Sequence, residues 1–292
     1  MNVSLSIPAK RSRKPIHSFL FIILAGLLTS CSTLTLTYNY ADWLLFWRID
    51  HYFDVSAYQK PVLETHLTQL HSWHREQEIP RYVAFLQMIH RHWQDGLTQP
   101  ELDEIFDRYD ILRDRLGSRV ASECVEFLTT VNPRQVEHLE TVMQTENQEL
   151  LFDIGADSDT RTAKRVERAL GWLRFWLGDL SSAQKRRFTQ VIEQYPDTTD
   201  QWLEYRVYRQ QQFTTLLKSG ADKQTLENQV HDWLVTPEKD APLSYAEVSK
   251  HRKQHLKVGI LAIDRMVTPD QRRYASRRLR NLIEEFQQMG MP

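Results

Sequence analysis

Cysteine is nearly absent from this chain, with only Cys31 and Cys124 in 292 residues. That leaves no paired-cysteine spacing for a structural metal and no disulfide framework. Glycine and proline are also scarce, nine and eleven, which argues against an all-β or disordered chain. Charge of one sign is missing too: 37 basic residues face 38 acidic ones. There is then no overall electrostatic case for nucleic acid as a partner. Nor does the chain carry G-x-S-x-G, a P-loop, G-x-G-x-x-G or HExxH. No catalytic residue, metal ligand or cofactor is expected.

What is present begins at the N-terminus. Lys10, Arg11, Arg13 and Lys14 precede an apolar run from Phe19 to Leu28, followed by small residues. This is the layout of a secretory signal, and the run is shorter than the roughly 20 residues a membrane span needs. Leu28-Thr29-Ser30-Cys31 resembles the lipobox of bacterial lipoproteins. The resemblance implies removal of residues 1–30 and acylation of Cys31 with diacylglycerol and a further fatty acid. Ser32, in place of Asp, implies the periplasmic face of the outer membrane. Several acyl chains hold firmly where one binds reversibly. Removing four basic residues leaves 33 against 38 acidic ones, a mature charge of −5.

Residues 31–37 are read as a short tether, and helical periodicity follows almost everywhere. Leu63, Leu67 and Leu70 make one stripe, Tyr82, Phe85, Leu86 and Ile89 another. Leu170, Leu173 and Leu177 make a third, and Leu279, Leu282, Ile283 and Phe286 a fourth. No alternating run makes a credible strand. The expected fold is all-α: a bundle of about ten or more helices built from hairpins. Gly155 and its acidic surroundings suggest two halves, 38–155 and 156–292. Cys124 lies on an apolar helix face and is read as packed and inert.

A short motif recurs at helix starts: an apolar residue, then Ser, Thr or Asn, then Gln or Glu three positions on. It begins at Val55, Leu97, Val131, Leu180, Leu243 and Val267. This is the capping box with a staple residue ahead of it. Uneven intervals argue against a fixed-period solenoid. Leu97-Thr98 with Glu101, Leu180-Ser181 with Gln184, and Val267-Thr268 with Gln271 resemble the LTxxQ motif of Spy-type periplasmic chaperones. That resemblance implies a concave helical surface that holds unfolded chains. Over more of the chain, Tyr38-Asn39-Tyr40-Ala41-Asp42-Trp43 with Trp47, Asp50 and Tyr52 resembles an uncharacterised family of proteobacterial lipoproteins. It implies location and helicity, and no activity.

Two clusters are candidates for contact with a partner or membrane. The aromatic segment 38–53 includes Trp43, Trp47 and Tyr52; it is read as a core helix, because Asp42 and Asp50 oppose an anionic interface. Lipid or partner contact is the alternative. The last helix carries Arg272, Arg273 and Arg277, which could meet phosphates or lie on a solvated face. His71 and His74 are spaced to share a helix face, and packed, hydrogen-bonded rings are the reading preferred to a metal site. The functional expectation is a non-enzymatic helical module, tethered to the membrane by its lipid anchor, that binds an envelope protein or component. The alternatives are a holdase and a cell-wall or lipid hydrolase.

Overall fold

The computed structural model describes residues 31–155 and 157–291. The expected signal segment, with Leu28 to Ser30 of the lipobox, lies outside the described residues. The chain is 82% helical without strands among those described, as the periodicity predicts. In chain order the helices are α1 (Cys31–Asn39), α2 (Ala41–Phe53), α3 (Lys60–Trp73), α4 (Ile79–His92), α5 (Gln99–Leu128) and α6 (Pro133–Ile154). After Gly155 come α7 (Ser158–Leu177), α8 (Ser182–Glu193), α9 (Thr199–Lys218), α10 (Lys223–Val235), α11 (Leu243–Asp264) and α12 (Pro269–Met289). The expected tether is thus helical as far as Asn39, and it rests on α12.

The starts of these helices follow from local chemistry. Thr98, Asn132, Ser181 and Thr268 are N-caps whose side chains accept the amide of the residue three places on. Each N3 side chain returns a bond to the cap's own amide. Ser56 and Gln59 make the same reciprocal pair just ahead of α3. The sixth expected box fails: α11 starts at Leu243, two residues early, and the Ser244 hydroxyl bonds Glu204 instead. Pro242 fixes the backbone there, so the turn does not wait for a serine cap.

The boxes do more than end helices. Gln59 and Gln135 hydrogen-bond each other reciprocally through their side-chain amides, at 2.8 and 3.1 Å. Gln59 also donates to the Thr130 carbonyl, and Gln135 to the Phe53 carbonyl. Each amide therefore caps its own helix and receives the end of the helix preceding the other box. Gln184 and Gln271 repeat the arrangement at 2.7 and 3.2 Å, donating to the carbonyls of Met266 and Asp179. Each clasp pins the bends of two hairpins together.

The fold is therefore two copies of one unit. Hairpin α2–α3 is clasped to α5–α6, with α2 packing on α6 and α3 on α5. Hairpin α7–α8 is clasped to α11–α12, with α7 packing on α12 and α8 on α11. The expected division at 155/156 does not divide the core, however. Hairpin α9–α10, from beyond that point, packs on α5 and α6, while α4, from before it, packs on α12. Gly117 lets α10 approach α5 closely: a Cβ there would stand 3.1 Å from Leu234 Cβ and 3.3 Å from its carbonyl oxygen.

One π turn, His74–Glu78, joins α3 to α4. It carries Glu78, a fully buried carboxylate held by Arg115 at 2.8 Å. Placing an acid there without a cation would be costly.

Candidate functional site: an apolar cavity in the first unit

The second unit closes around Phe188, which has no exposed surface, with Leu177, Ile192 and Ala275 against it. The first unit does not close. Between its four helices and the α9–α10 hairpin lies a cavity of about 700 Å³, partly open to solvent. The spacing of four in Ala41, Leu45, Ile49 and Phe53 turns one face of α2 into its wall. From α5 come Leu116, Val120 and Cys124; from α3 come Leu67 and Leu70; from α9 and α10 come Phe213, Val230 and Trp233.

Size decides what this cavity means. Closed and dry, it would cost roughly 17 kcal/mol at about 24 cal/mol per Å³. A whole domain has only about 5–15 kcal/mol of stability. Water can enter from the open side but finds few hydrogen-bonding partners on these walls. An apolar guest satisfies such walls where water does not.

The few polar groups at the wall are engaged. His66 Nδ1 lies 2.7 Å from Glu123, which also pairs with Arg119. Arg209 bonds the Tyr205 hydroxyl at 2.6 Å and the Trp233 carbonyl at 3.1 Å, with its guanidinium over the Trp233 ring. Burial pushes the Cys124 thiol up to about 11. Cys124 is thus held as a thiol and offers no thiolate nucleophile, in line with its reading as packed and inert.

At one end of the cavity Tyr38 is seated between His71 and His74. Its ring centroid is 4.9 Å from His71 and 5.7 Å from His74, and its hydroxyl hydrogen-bonds His74 Nδ1 at 2.9 Å. Burial holds both imidazoles below their ordinary value, Arg75 adding to the effect at His71. The two histidines are thus the seat for α1, which enters it with the Tyr38 side chain.

The residues picked out beforehand for contact separate into different groups. Trp43 and Trp47 are 60% and 48% exposed, so they are not the core residues that the aromatic segment was expected to supply. The inward face of α2 is the row from Ala41 to Phe53, and the tryptophans fall on the other side. Tyr52 is half-buried, donating to Glu146 at 2.6 Å with Arg48 beside it. Burial and that carboxylate push its hydroxyl up to about 12.

Arg272 needs correcting as a contact residue: it is turned inward. It bonds Asp264 at 3.0 Å and the Trp93 carbonyl at 2.8 Å, and its guanidinium lies over the Trp93 ring. Asp264 also accepts the Leu97 amide, so this knot ties the ends of α4 and α11 to the starts of α5 and α12. Arg273 pairs with Asp270 at the surface, and Arg277 lies over Tyr274. Cys31 opens α1.

The helices that line the cavity fall largely within a stretch of recognisable ancestry. Residues 51–245 match a family of unknown function, DUF6279, and the chain belongs to that family. The match starts inside α2, so Tyr38 to Asp50 lie outside it. No curated protein and no solved structure matches the chain.

Proposed function

We propose that this protein is an envelope lipoprotein, acylated at Cys31 and held at the periplasmic face of the outer membrane, that binds an apolar envelope component without catalysis. The cavity of the first unit carries this reading. It is large and walled by aliphatic and aromatic side chains, and its few polar groups are already engaged in hydrogen bonds and ion pairs. A hydrocarbon chain, such as the acyl chain of a lipid, suits such walls, because each CH₂ removed from water contributes about 0.8 kcal/mol. The lipobox resemblance and the apolar run ahead of Cys31 support the location.

A photoactivatable amino acid at Val120, in the full chain produced in its own host, tests this. Irradiation and mass spectrometry of the cavity peptide should show an adduct of lipid mass. Adducts with many unrelated peptides would favour the holdase alternative instead. Solvent adducts alone, with a folded protein, would overturn apolar binding.

A further inference from the structure

α2 is apolar on two opposite sides, and only one of them faces the cavity. Opposite Ala41 and Ile49, Trp43 and Trp47 stand one turn apart on the outside. Leu36 and Tyr40, each 58% exposed, extend this surface back along α1. A helix apolar all round belongs inside a protein or against lipid, and among the described residues no element covers this outer row.

The charges along the segment do not oppose lipid as their sequence positions suggest. Asp42 turns back to accept the Trp43 amide and stands 3.9 Å from His71. Asp50 accepts the Val55 amide. Arg48 reaches across to Glu146 at 3.0 Å. The outer row is left with indole and phenol rings and an aliphatic chain, the composition favoured at the level of lipid headgroups.

The chain ahead of α1 decides between lipid and a partner protein. α1 begins at Cys31, immediately after the apolar run Phe19–Leu28. On the tethered reading above, the acyl chains on Cys31 bring α1 to a bilayer. From Cys31 to Asn39 the backbone is helical and seated on α12 and the two histidines, with no slack for a stalk.

We propose that Leu36, Tyr40, Trp43 and Trp47 form a membrane-seating surface that lies in the headgroup layer of a phospholipid bilayer. It rests on the tethered reading above and adds an orientation to it: the domain lies on the membrane along α1 and α2, with the cavity on the other side of α2. Rings at this depth fix the rotation of a body that acyl chains alone would leave free to swivel.

The test uses the full chain purified from its host membranes and reconstituted into phosphatidylcholine vesicles whose acyl chains carry bromine near the headgroup. Bromine quenches tryptophan fluorescence only at close range. The wild type should be quenched, and the double variant Trp43→Phe, Trp47→Phe should lose most of that quenching while still floating with the vesicles. Equal quenching of wild type and variant, or none in a protein that floats, overturns the seating and leaves the tether standing. A wild type that does not float overturns both. The double variant Trp43→Asp, Trp47→Asp should float yet leave the Tyr40 hydroxyl open to a water-soluble tyrosine reagent that does not reach it in the wild type. A shift instead in oligomer size would assign the surface to a second copy and refute lipid.

Discussion

The two clasped units differ in what they enclose. Each pins two hairpins at their bends with a reciprocal pair of glutamine amides, and each pairs its helices in the same order. Yet one closes on Phe188 and the other stands open around about 700 Å³. The clasp therefore fixes topology without fixing interior volume. The difference comes from the long helices: in the first unit α9 and α10 are wedged over α5 and α6, and the walls they complete stand apart. On the proposed function, a shared joint with divergent interiors lets one unit serve as scaffold while the other takes the ligand.

Breaking the joints should give the largest effects. Gln135 is buried, and Gln135→Ala orphans the Phe53 carbonyl and the Asn132 amide and takes from Gln59 its partner across the clasp. At about 1–3 kcal/mol for each buried orphan, and with incomplete additivity, a loss on the order of 3 kcal/mol is expected in urea melts. Gln184→Ala should cost about half as much, since its cap lies at the surface. Gln135→Glu is the sharper version: a carboxylate still accepts from Asn132 but has no N–H to give. If it melts like the wild type, the clasp is not what holds the bends.

Volume changes come next. Ala275→Phe in the packed second unit should cost about 1–3 kcal/mol through overpacking, whereas Val120→Phe in the first should be nearly neutral. Equal thermal midpoints for the two would erase the comparison. Caps follow: Thr98→Ala, Ser181→Ala and Thr268→Ala should each cost about 0.5–2 kcal/mol, and the glycine variants clearly less.

A smaller effect concerns pH. Burial holds His71 and His74 below their ordinary 6.5, so as pH falls the unfolded chain takes up protons first. The seat of α1 is at full strength above about 6.5 and weakens as pH drops through that value. The protection of the Tyr38 amide against hydrogen exchange, relative to its intrinsic rate at each pH, should fall between neutral and mildly acidic pH, and His74→Phe should flatten the change. Smallest of all, Trp43→Ala should shift stability by less than about 0.5 kcal/mol, because its ring is already in solvent. A loss of several kcal/mol would restore the core reading of α2.

Much of this was readable beforehand. Helical class, five of the six boxes and the packed Cys124 follow from spacing and local chemistry. Which box meets which does not, because partners stand 76 and 87 residues apart and spacing constrains only near neighbours. A signal was nevertheless present in the letters. All four clasped boxes carry Gln at the third position, and the two that do not clasp, at Thr98 and Ser244, carry Glu. Only an amide can accept from its own cap and donate to a partner at once. The side of α2 that bears Trp43 and Trp47 was misassigned because the whole segment is apolar, so no polar face told inside from outside. The cavity has no motif at all; it is a property of distances between helices.

The glutamine joints have one more consequence. Nothing in them ionises, so neither protons nor dissolved salt can loosen them. The bends of both units keep their grip as pH and ionic strength change. The latch at Tyr38, leaning on two imidazoles, responds to acidity instead, so the end of α1 is the acid-sensitive joint and the two clasps are the frame.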